Sequence, residues 1–269
     1  MLRLPAVAGR FYPYPPEKLT ALIQQYSQLE AEISPQKVKA CLVPHAGYIY
    51  SGHVAGAVFA RIVLPKKIII LGVRHQPRGE RVAINSSGAW RTPLGDAAID
   101  LKLAAQLSAA CPLLREDVVA HATEHSLEVQ LPFLQVLAPG FRFVPVALGT
   151  VRFEDLVQVG ASIGSVLAAS REQILLVTTS DLNHYEDDAT TRVKDQKAID
   201  RILALDPLGL YQTCRAAQIS MCGLGPTVAM LTALAALGST KAELVRYATS
   251  GDISGERDAV VGYAGMIFS

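Results

Sequence analysis

Three of the six histidines come one to five residues after an apolar run of the sequence: His45, His75 and His184. The runs are short, rich in Ile and Val, and do not alternate with polar residues, which is typical of strands buried on both faces. The C-terminal ends of parallel strands lie at one edge of a sheet, so we expect these imidazoles to lie close together. Imidazole binds transition metals and titrates near neutral pH. The pattern therefore predicts a metal site or an acid/base site.

A glycine-rich loop carries a fourth reactive group, the thiol of Cys222. The loop leads into a predicted helix that has Pro226 in its first turn. A thiol just before a helix N-terminus is predicted to ionise readily, which suits a metal ligand or a nucleophile. The sequence is equally consistent with a small, packed cysteine of the core.

The five residues from His121 to His125 match the H-x-x-E-H pattern of the inverted zincins. In that pattern both histidines lie on one face of a helix. Here Thr123 is predicted to be the N-cap of a helix over 126–137, which leaves His121 outside the helix. We therefore predict that Glu124 and His125 line the site as substrate-binding residues, and that His121 does not take part.

The elements that must position these groups alternate along the chain. Strands are predicted at 38–43, 67–73, 141–148, 173–179, 241–249 and 260–268. Helices are predicted at 52–62, 97–110, 126–137, 153–169, 191–205, 208–217 and 226–237. This alternation predicts one α/β domain over residues 1–269, with a mostly parallel or mixed central sheet and helices on both faces. We expect the segment 81–86 and the last two strands to pair antiparallel.

The balance of charges limits the classes of partner that the chain can bind, and its cysteine content indicates the cellular compartment. Lys and Arg total 25 and Asp and Glu total 24, without a basic run, which argues against nucleic-acid and membrane partners. The four cysteines form no C-x-x-C pair, and the N-terminal residues lack the apolar run of a signal peptide. No apolar run is long enough to span a bilayer. These features predict a cytoplasmic protein.

Five motifs together resemble the Memo family, which includes the bacterial AmmeMemoRadiSam system protein B. The motifs are PHAGY at 44–48, TPLGD at 92–96, EHSLEVQLPFL at 124–134, TSDLNHY at 179–185 and YATSGD at 247–252. The resemblance extends from Pro5 to Phe268, which is essentially the whole chain. It implies a fold similar to that of the class III extradiol dioxygenases of the LigB type, an α/β/α arrangement.

The resemblance also implies roles for individual residues. It implies a metal triad formed by His45, His75 and Cys222, with His184 as the catalytic acid/base and Asp181 beside it. The similar dioxygenases bind iron through two histidines and a carboxylate, whereas a cysteine stands at the third position here. A thiolate favours Fe(II), Cu(I) or Zn over Mg or Ca, so we expect Fe(II), with Cu or Zn as alternatives and metal-free protein as a possible product of purification.

Three functions are consistent with these observations. The first is a metal-dependent, dioxygenase-like oxidoreductase that acts on an unknown small molecule. The second is a metal-free hydrolase in which Cys222 is the nucleophile and His184 the base. The third is a non-enzymatic protein that keeps the cleft and binds a small molecule or a peptide. The family name implies AMMECR-type and radical-SAM proteins as partners.

Overall fold

The computed structural model of the chain describes residues 1–29 and 33–269. Its strands are β1 (Leu2–Arg3), β2 (Ala40–Val43), β3 (Lys67–Val73), β4 (Val82–Ile84), β5 (Ala89–Thr92), β6 (Gly95–Ile99), β7 (Arg115–Glu116), β8 (Arg142–Leu148), β9 (Ile174–Thr179), β10 (His184–Glu186), β11 (Ala242–Thr249) and β12 (Val260–Phe268). Its α-helices are α1 (Pro16–Tyr26), α2 (Tyr48–Ala60), α3 (Leu101–Ala110), α4 (Val119–Ala122), α5 (Leu131–Leu137), α6 (Phe153–Ala169), α7 (Asp188–Leu203), α8 (Pro207–Ala216), α9 (Leu224–Ala236) and α10 (Gly251–Ser254).

A mixed sheet forms the centre of the fold, as predicted. Its main path runs in the order β1-β5-β6-β8-β3-β9-β2-β12-β10. The five strands from β6 to β2 on this path are mutually parallel. Strand β4 pairs antiparallel with β8, and β12 pairs antiparallel with both β11 and β2, which confirms the expectation for the segment 81–86 and for the end of the chain.

Helices cover both faces of the sheet, which confirms the predicted layering. Successive residues of β3 show the two faces directly. Ile69 and Leu71 point into one core, where α3, α6 and α9 pack, while Ile68 and Ile70 point into the other, where α1, α2 and α5 pack. The strand can carry an unbroken apolar run because each of its faces is buried.

Two predicted helices begin later than expected, because other secondary structure occupies the residues before them. The helix predicted at 97–110 starts only at Leu101, since residues 95–99 pair as β6 and Asp100 caps the helix by accepting a hydrogen bond from the Leu103 N–H at 2.9 Å. The helix predicted at 126–137 starts only at Leu131, after a single 3₁₀ turn at Glu128–Gln130. Its predicted N-cap, Thr123, instead ends the short helix α4.

No helix in the described ranges is long and apolar enough to cross a membrane.

Candidate functional site

The ends of two neighbouring parallel strands place His45 beside Asp181. Val43 of β2 is in register with Thr179 of β9, so the residues two positions further along also lie side by side. The Asp181 carboxylate accepts a hydrogen bond from the backbone N–H of His45 at 2.8 Å. Burial raises the pKa of Asp181, against the opposing effect of that N–H. Asp181 thus fixes the backbone at His45.

The imidazole of His45 is buried and held at both nitrogens. Its Nδ1 lies 3.0 Å from the hydroxyl of Thr179, and its Nε2 lies 3.2 Å from the sulfur of Cys222. Burial, with the neighbouring imidazoles of His125 and His75, lowers the pKa of His45 well below its usual value. In the neutral tautomer in which Nδ1 donates to the Thr179 hydroxyl, Nε2 presents its lone pair towards the sulfur.

His75 is held by a carboxylate that sequence analysis placed in the site only as a lining residue. Glu124 accepts hydrogen bonds from the backbone N–H of His75 at 2.7 Å and from its Nδ1 at 2.9 Å. Burial alone would raise the pKa of Glu124, but the contacts with His75 and with the Ser126 N–H lower it to about 2. A carboxylate in this state can only accept, so Nδ1 of His75 carries the proton and Nε2 has the free lone pair.

Ser126 fixes this carboxylate to the end of β3. Its hydroxyl bonds to both the N–H and the carbonyl of Val73, each at 3.1 Å. Gly72 permits the contact, because a Cβ at that position would overlap the side chains of Leu127 and Ser126. The glycine therefore serves close packing within the strand and not a turn.

The loop before α9 brings the fourth group to the same place. The Gly223 N–H donates to the Ser180 hydroxyl at 2.9 Å, and a Cβ on Gly223 would overlap the side chain of that serine. This close approach sets the sulfur of Cys222 3.3 Å from the backbone N–H of Asp181. Burial, and then the nearby Asp181 carboxylate, raise the pKa of the Cys222 thiol, although it is partly exposed to the cavity. The expectation of a thiol that ionises unaided is therefore wrong.

Three donor atoms, one each from His45, His75 and Cys222, lie within 4.8 Å of one another. The donor set fits a transition-metal ion in two ways. Both imidazoles have Nδ1 bonded to a second residue, which is the usual orientation of a histidine ligand that binds through Nε2. A buried thiol that does not ionise unaided becomes a good ligand once a cation replaces its proton.

His184 lies at the rim of the same site and is positioned by Ser220. Its backbone N–H donates to the Ser220 hydroxyl at 2.8 Å, and its Nδ1 lies 3.0 Å from the Ser220 carbonyl. A carbonyl oxygen only accepts, so Nδ1 carries the proton and Nε2 is left as a base. One donor atom each from His184, Asp181 and Cys222 also lies within a 4.8 Å group. The hydrogen bonds that orient His184 come from Ser220, whereas Asp181, predicted to lie beside it, bonds to the backbone of His45.

A cavity of about 600 Å³ opens over these residues. His125 forms part of its wall and stacks on His75, with ring centroids 4.6 Å apart, while Phe11 packs on its other side at 4.7 Å. Burial lowers the pKa of His125 to about 4. The aromatic residues Tyr185 and Tyr263 complete the wall. We call this space the metal-site cavity.

The residues that position the ligands were missed by sequence reasoning. Thr179, Ser126 and Ser220 are small hydroxyl residues of common type, and only their partners in space distinguish them. A partial signal did exist, because Thr179 lies within the quoted motif at 179–185. His121 lies away from the donor groups and lines a different cavity, together with Thr123.

Comparisons with known proteins identify the family of this chain. A family model described as Memo-like protein matches residues 3–267. A MEMO1 family protein of Methanopyrus kandleri is 41% identical over 280 residues, covering 100% of this chain and 99% of its own length. MEMO1 family proteins of Methanosarcina barkeri and Aquifex aeolicus are each 40% identical, and each match covers 99% of both chains.

Among solved structures, the fold is similar to that of an uncharacterized protein from Escherichia coli K12. The two superpose with a TM-score of 0.58 at 12% sequence identity, over 86% of this chain and 100% of that one. At that identity the likeness concerns the fold alone. The full-length family match and the relatives at about 40% identity carry the assignment, and the chain belongs to the Memo-like protein family.

Proposed function

We propose that this protein binds one transition-metal ion through His45, His75 and Cys222, and that the loaded site serves as an oxidoreductase centre for a small molecule in the metal-site cavity. One observation carries the proposal. Three donor atoms from three separate strand ends or loops converge within 4.8 Å, and both imidazoles are held at Nδ1 by Thr179 and Glu124. Packing of a hydrophobic core alone does not require two imidazoles to be held at Nδ1 beside a thiol.

Fe(II) is the proposed ion, with Cu and Zn as the alternatives that the experiment distinguishes. Two imidazoles and one thiolate match the preferences of all three and disfavour Mg and Ca, which prefer oxygen ligands. A bound Fe(II) would supply Lewis acidity and one-electron redox chemistry to the site. The chain leaves one side of the donor cluster open to the cavity, where a substrate would lie.

The residues around the ion have separate roles in the proposal. Nε2 of His184 accepts a proton from a substrate hydroxyl, because Nδ1 is committed to the Ser220 carbonyl. Asp181 holds the backbone of His45 in place. His125 lines the cavity where the substrate would lie, whereas Glu124 lies outside the cavity lining and orients His75.

Anaerobic reconstitution tests the metal site. Protein made without a His-tag or chelator is stripped, titrated in parallel with Fe(II), Cu(I) and Zn(II), desalted, and analysed for metal per chain. We expect close to one ion per wild-type chain, and almost none for His45→Ala. His53→Ala is the matched control, because His53 lies outside the donor groups. Failure of all three metals to bind, or equal binding by His45→Ala, would contradict the proposal.

The hydrolase hypothesis has one observation in its favour, the 3.2 Å contact between Cys222 and an imidazole. That imidazole belongs to His45, however, and not to the predicted base His184. Burial also raises the pKa of the thiol, which opposes nucleophilic attack near neutral pH. Rapid alkylation of Cys222 in metal-free protein at pH 7 would favour the hydrolase over the metal site.

The proposal also includes the binding partners and the cellular compartment of the protein. We propose a cytoplasmic protein that meets a small molecule or peptide at the metal-site cavity and that works alongside AMMECR-type and radical-SAM proteins. The four cysteines are free thiols, which is consistent with a reducing compartment. Capture of either partner protein, combined with a full metal site and no turnover of any small molecule, would favour the non-enzymatic binding role.

A further inference from the structure

Asn183 is a fully buried amide that directly precedes His184, the proposed acid/base. Its backbone is held on two sides. The N–H of Asn183 donates to the Asp195 carboxylate at 2.8 Å, and its carbonyl accepts from the Gly262 N–H at 2.9 Å. The side chain is therefore attached to a segment that α7 and β12 hold in place.

Both ends of the Asn183 amide are bonded. Its Oδ1 accepts from the backbone N–H and from the hydroxyl of Ser220, each at 3.1 Å. Its Nδ2 donates to the Glu186 carboxylate at 2.6 Å and to the Thr191 hydroxyl at 3.3 Å. An amide accepts at one atom and donates at the other. A carboxylate here would meet Glu186 with a like charge, and an aliphatic side chain would leave the neighbours on both sides without a partner.

Ser220 links Asn183 to the imidazole of His184. The Ser220 hydroxyl, which donates to Asn183, accepts from the His184 N–H at 2.8 Å, and the Ser220 carbonyl lies 3.0 Å from Nδ1 of the ring. Ser220 lies in the loop between α8 and α9, whereas His184 begins β10. The two bonds between Ser220 and Asn183 therefore hold the carbonyl of one segment opposite the ring of the other.

This carbonyl decides which nitrogen of the neutral His184 ring carries the proton. A carbonyl oxygen only accepts, so Nδ1 donates to it and Nε2 has the lone pair that a base needs. Neutral histidine in water favours the opposite tautomer, with the proton on Nε2. Without the Ser220 carbonyl at Nδ1, the ring would therefore mostly carry an N–H at the atom proposed to accept the substrate proton.

We propose that Asn183 is a positioning residue for His184: it holds the Ser220 carbonyl in place and thereby keeps His184 in the Nδ1–H tautomer that can accept a proton. This inference rests on the proposed role of His184 as the acid/base. Asn183 acts only through Ser220, because it is fully buried and lies outside the lining of the metal-site cavity. A purely structural amide would contribute to stability and would have no effect on the tautomer.

The tautomer can be measured at the ring nitrogens by NMR, in metal-free protein labelled with ¹⁵N at histidine. The measurement is made at about pH 8, where an ordinary imidazole is neutral. His184→Gln identifies the resonances of His184. In the wild type we expect the Nδ1–H tautomer to predominate. In Asn183→Leu, which removes both ends of the amide, we expect the ratio of tautomers to move towards the Nε2–H form by about fivefold.

A double variant tests whether the hydrogen bonds themselves are responsible. Asn183→Asp combined with Glu186→Gln exchanges the amide and the carboxylate, so that position 183 still accepts from Ser220 and the 2.6 Å contact keeps one donor and one acceptor. We expect this protein to have the wild-type ratio of tautomers.

Tyr247→Phe is the matched control for stability. It removes a 2.7 Å hydrogen bond to Asp195, the carboxylate that holds the backbone of Asn183 from the other side. We expect it to lower the free energy of unfolding and to leave the tautomer of His184 unchanged.

Predominance of the Nε2–H tautomer in the wild type would overturn the proposal, and that measurement does not depend on whether Asn183→Leu folds. An unchanged ratio in folded Asn183→Leu, or the same change of ratio in Asn183→Leu and in Tyr247→Phe, would overturn it as well. So would a folded double variant with the ratio of Asn183→Leu. Failure of the chain to bind any metal would contradict the proposed function alone, because the tautomer is measured without metal.

Discussion

Two cavities of the molecule are lined by histidines in opposite situations. His45 and His75 of the metal-site cavity each have Nδ1 bonded to a second side chain, so that Nε2 faces the sulfur of Cys222 or the open space beside it. The ring nitrogens of His121 are buried beside the backbone of Ala83, without a side-chain partner among the described residues, and the residue lines a largely apolar cavity. An imidazole held at Nδ1 by a side chain presents Nε2 at a fixed point for a ligand bond, whereas the buried nitrogens of His121 present no such atom.

His121 and His125 are only four positions apart in the sequence, yet they line different cavities. The chain between them is fixed by Arg3, which binds the carbonyls of His121 and Glu124, and by Ser126, which bonds to the end of β3. The difference shows that the role of a histidine in this fold depends on the partner of its Nδ1 and not on its position in a sequence pattern.

The largest effect is expected from removing a metal ligand. In Cys222→Ser a hard hydroxyl replaces the soft thiolate, and we expect metal affinity to fall by more than about 100-fold, beyond the loss typical of an outer-shell partner. The reduction should be greatest for Cu(I). Competition with a chromophoric chelator measures it. Cys214→Ser is the matched control, because Cys214 is buried in the core and lies outside the donor groups. Unchanged metal affinity in Cys222→Ser would refute the assignment of Cys222 as a metal ligand.

The next prediction compares two substitutions in one segment, of which one should weaken metal binding and the other should lower stability. Glu124→Gln removes the charge that orients His75, and we expect metal affinity to fall about 10- to 100-fold. Glu128→Gln breaks a largely buried ion pair with Arg3 at 2.7 Å, and we expect the free energy of unfolding to drop by about 3 kcal/mol with metal affinity unchanged. Metal titration and urea unfolding of both variants measure the two effects. If Glu128→Gln lost metal binding while Glu124→Gln kept it, the assignment of metal-site orientation to Glu124 and of fold stability to Glu128 would be wrong.

The buried, neutral state of His121 predicts a specific acid sensitivity. Its pKa is lowered from 6.5 to about 4 on folding, so the unfolded chain binds more protons between those values. Stability linked to this group is present above pH 6.5 and is lost as the pH falls towards 4, by at most about 3 kcal/mol. Between pH 7 and 5, urea unfolding should therefore show a smaller loss in His121→Phe than in the wild type. Parallel pH profiles of the two proteins would show that His121 has a normal pKa.

The smallest effect concerns two adjacent threonines of β9. The hydroxyl of Thr179 holds Nδ1 of His45, whereas the buried hydroxyl of Thr178 has no hydrogen-bond partner within the described residues. We expect Thr179→Val to weaken metal binding about tenfold. The matched change Thr178→Val should leave metal binding unchanged and keep or raise stability, because it removes an unpaired polar group. Equal metal affinity in the two variants would mean that Nδ1 of His45 needs no partner.

The fold was largely predictable from the sequence because strands buried on both faces leave an unbroken apolar run, as in β3. The convergence of His45 and His75 was predictable for the same reason, since parallel strands end at one edge. The contacts that position the ligands were not predictable, because the hydrogen-bond partner of a hydroxyl such as that of Ser220 depends on packing between segments that are far apart in the sequence. The thiol of Cys222 was misjudged because a helix N-terminus favours the thiolate, while burial, which sequence does not reveal, opposes it more strongly.

X-ray absorption spectroscopy of the reconstituted protein tests the central claim most directly. At the edge of whichever metal binds with full stoichiometry, we expect one sulfur scatterer and two imidazole scatterers, with the sulfur missing in Cys222→Ser and one imidazole missing in His75→Ala. A first shell of oxygen and nitrogen without sulfur in the wild type would contradict the metal site formed by His45, His75 and Cys222.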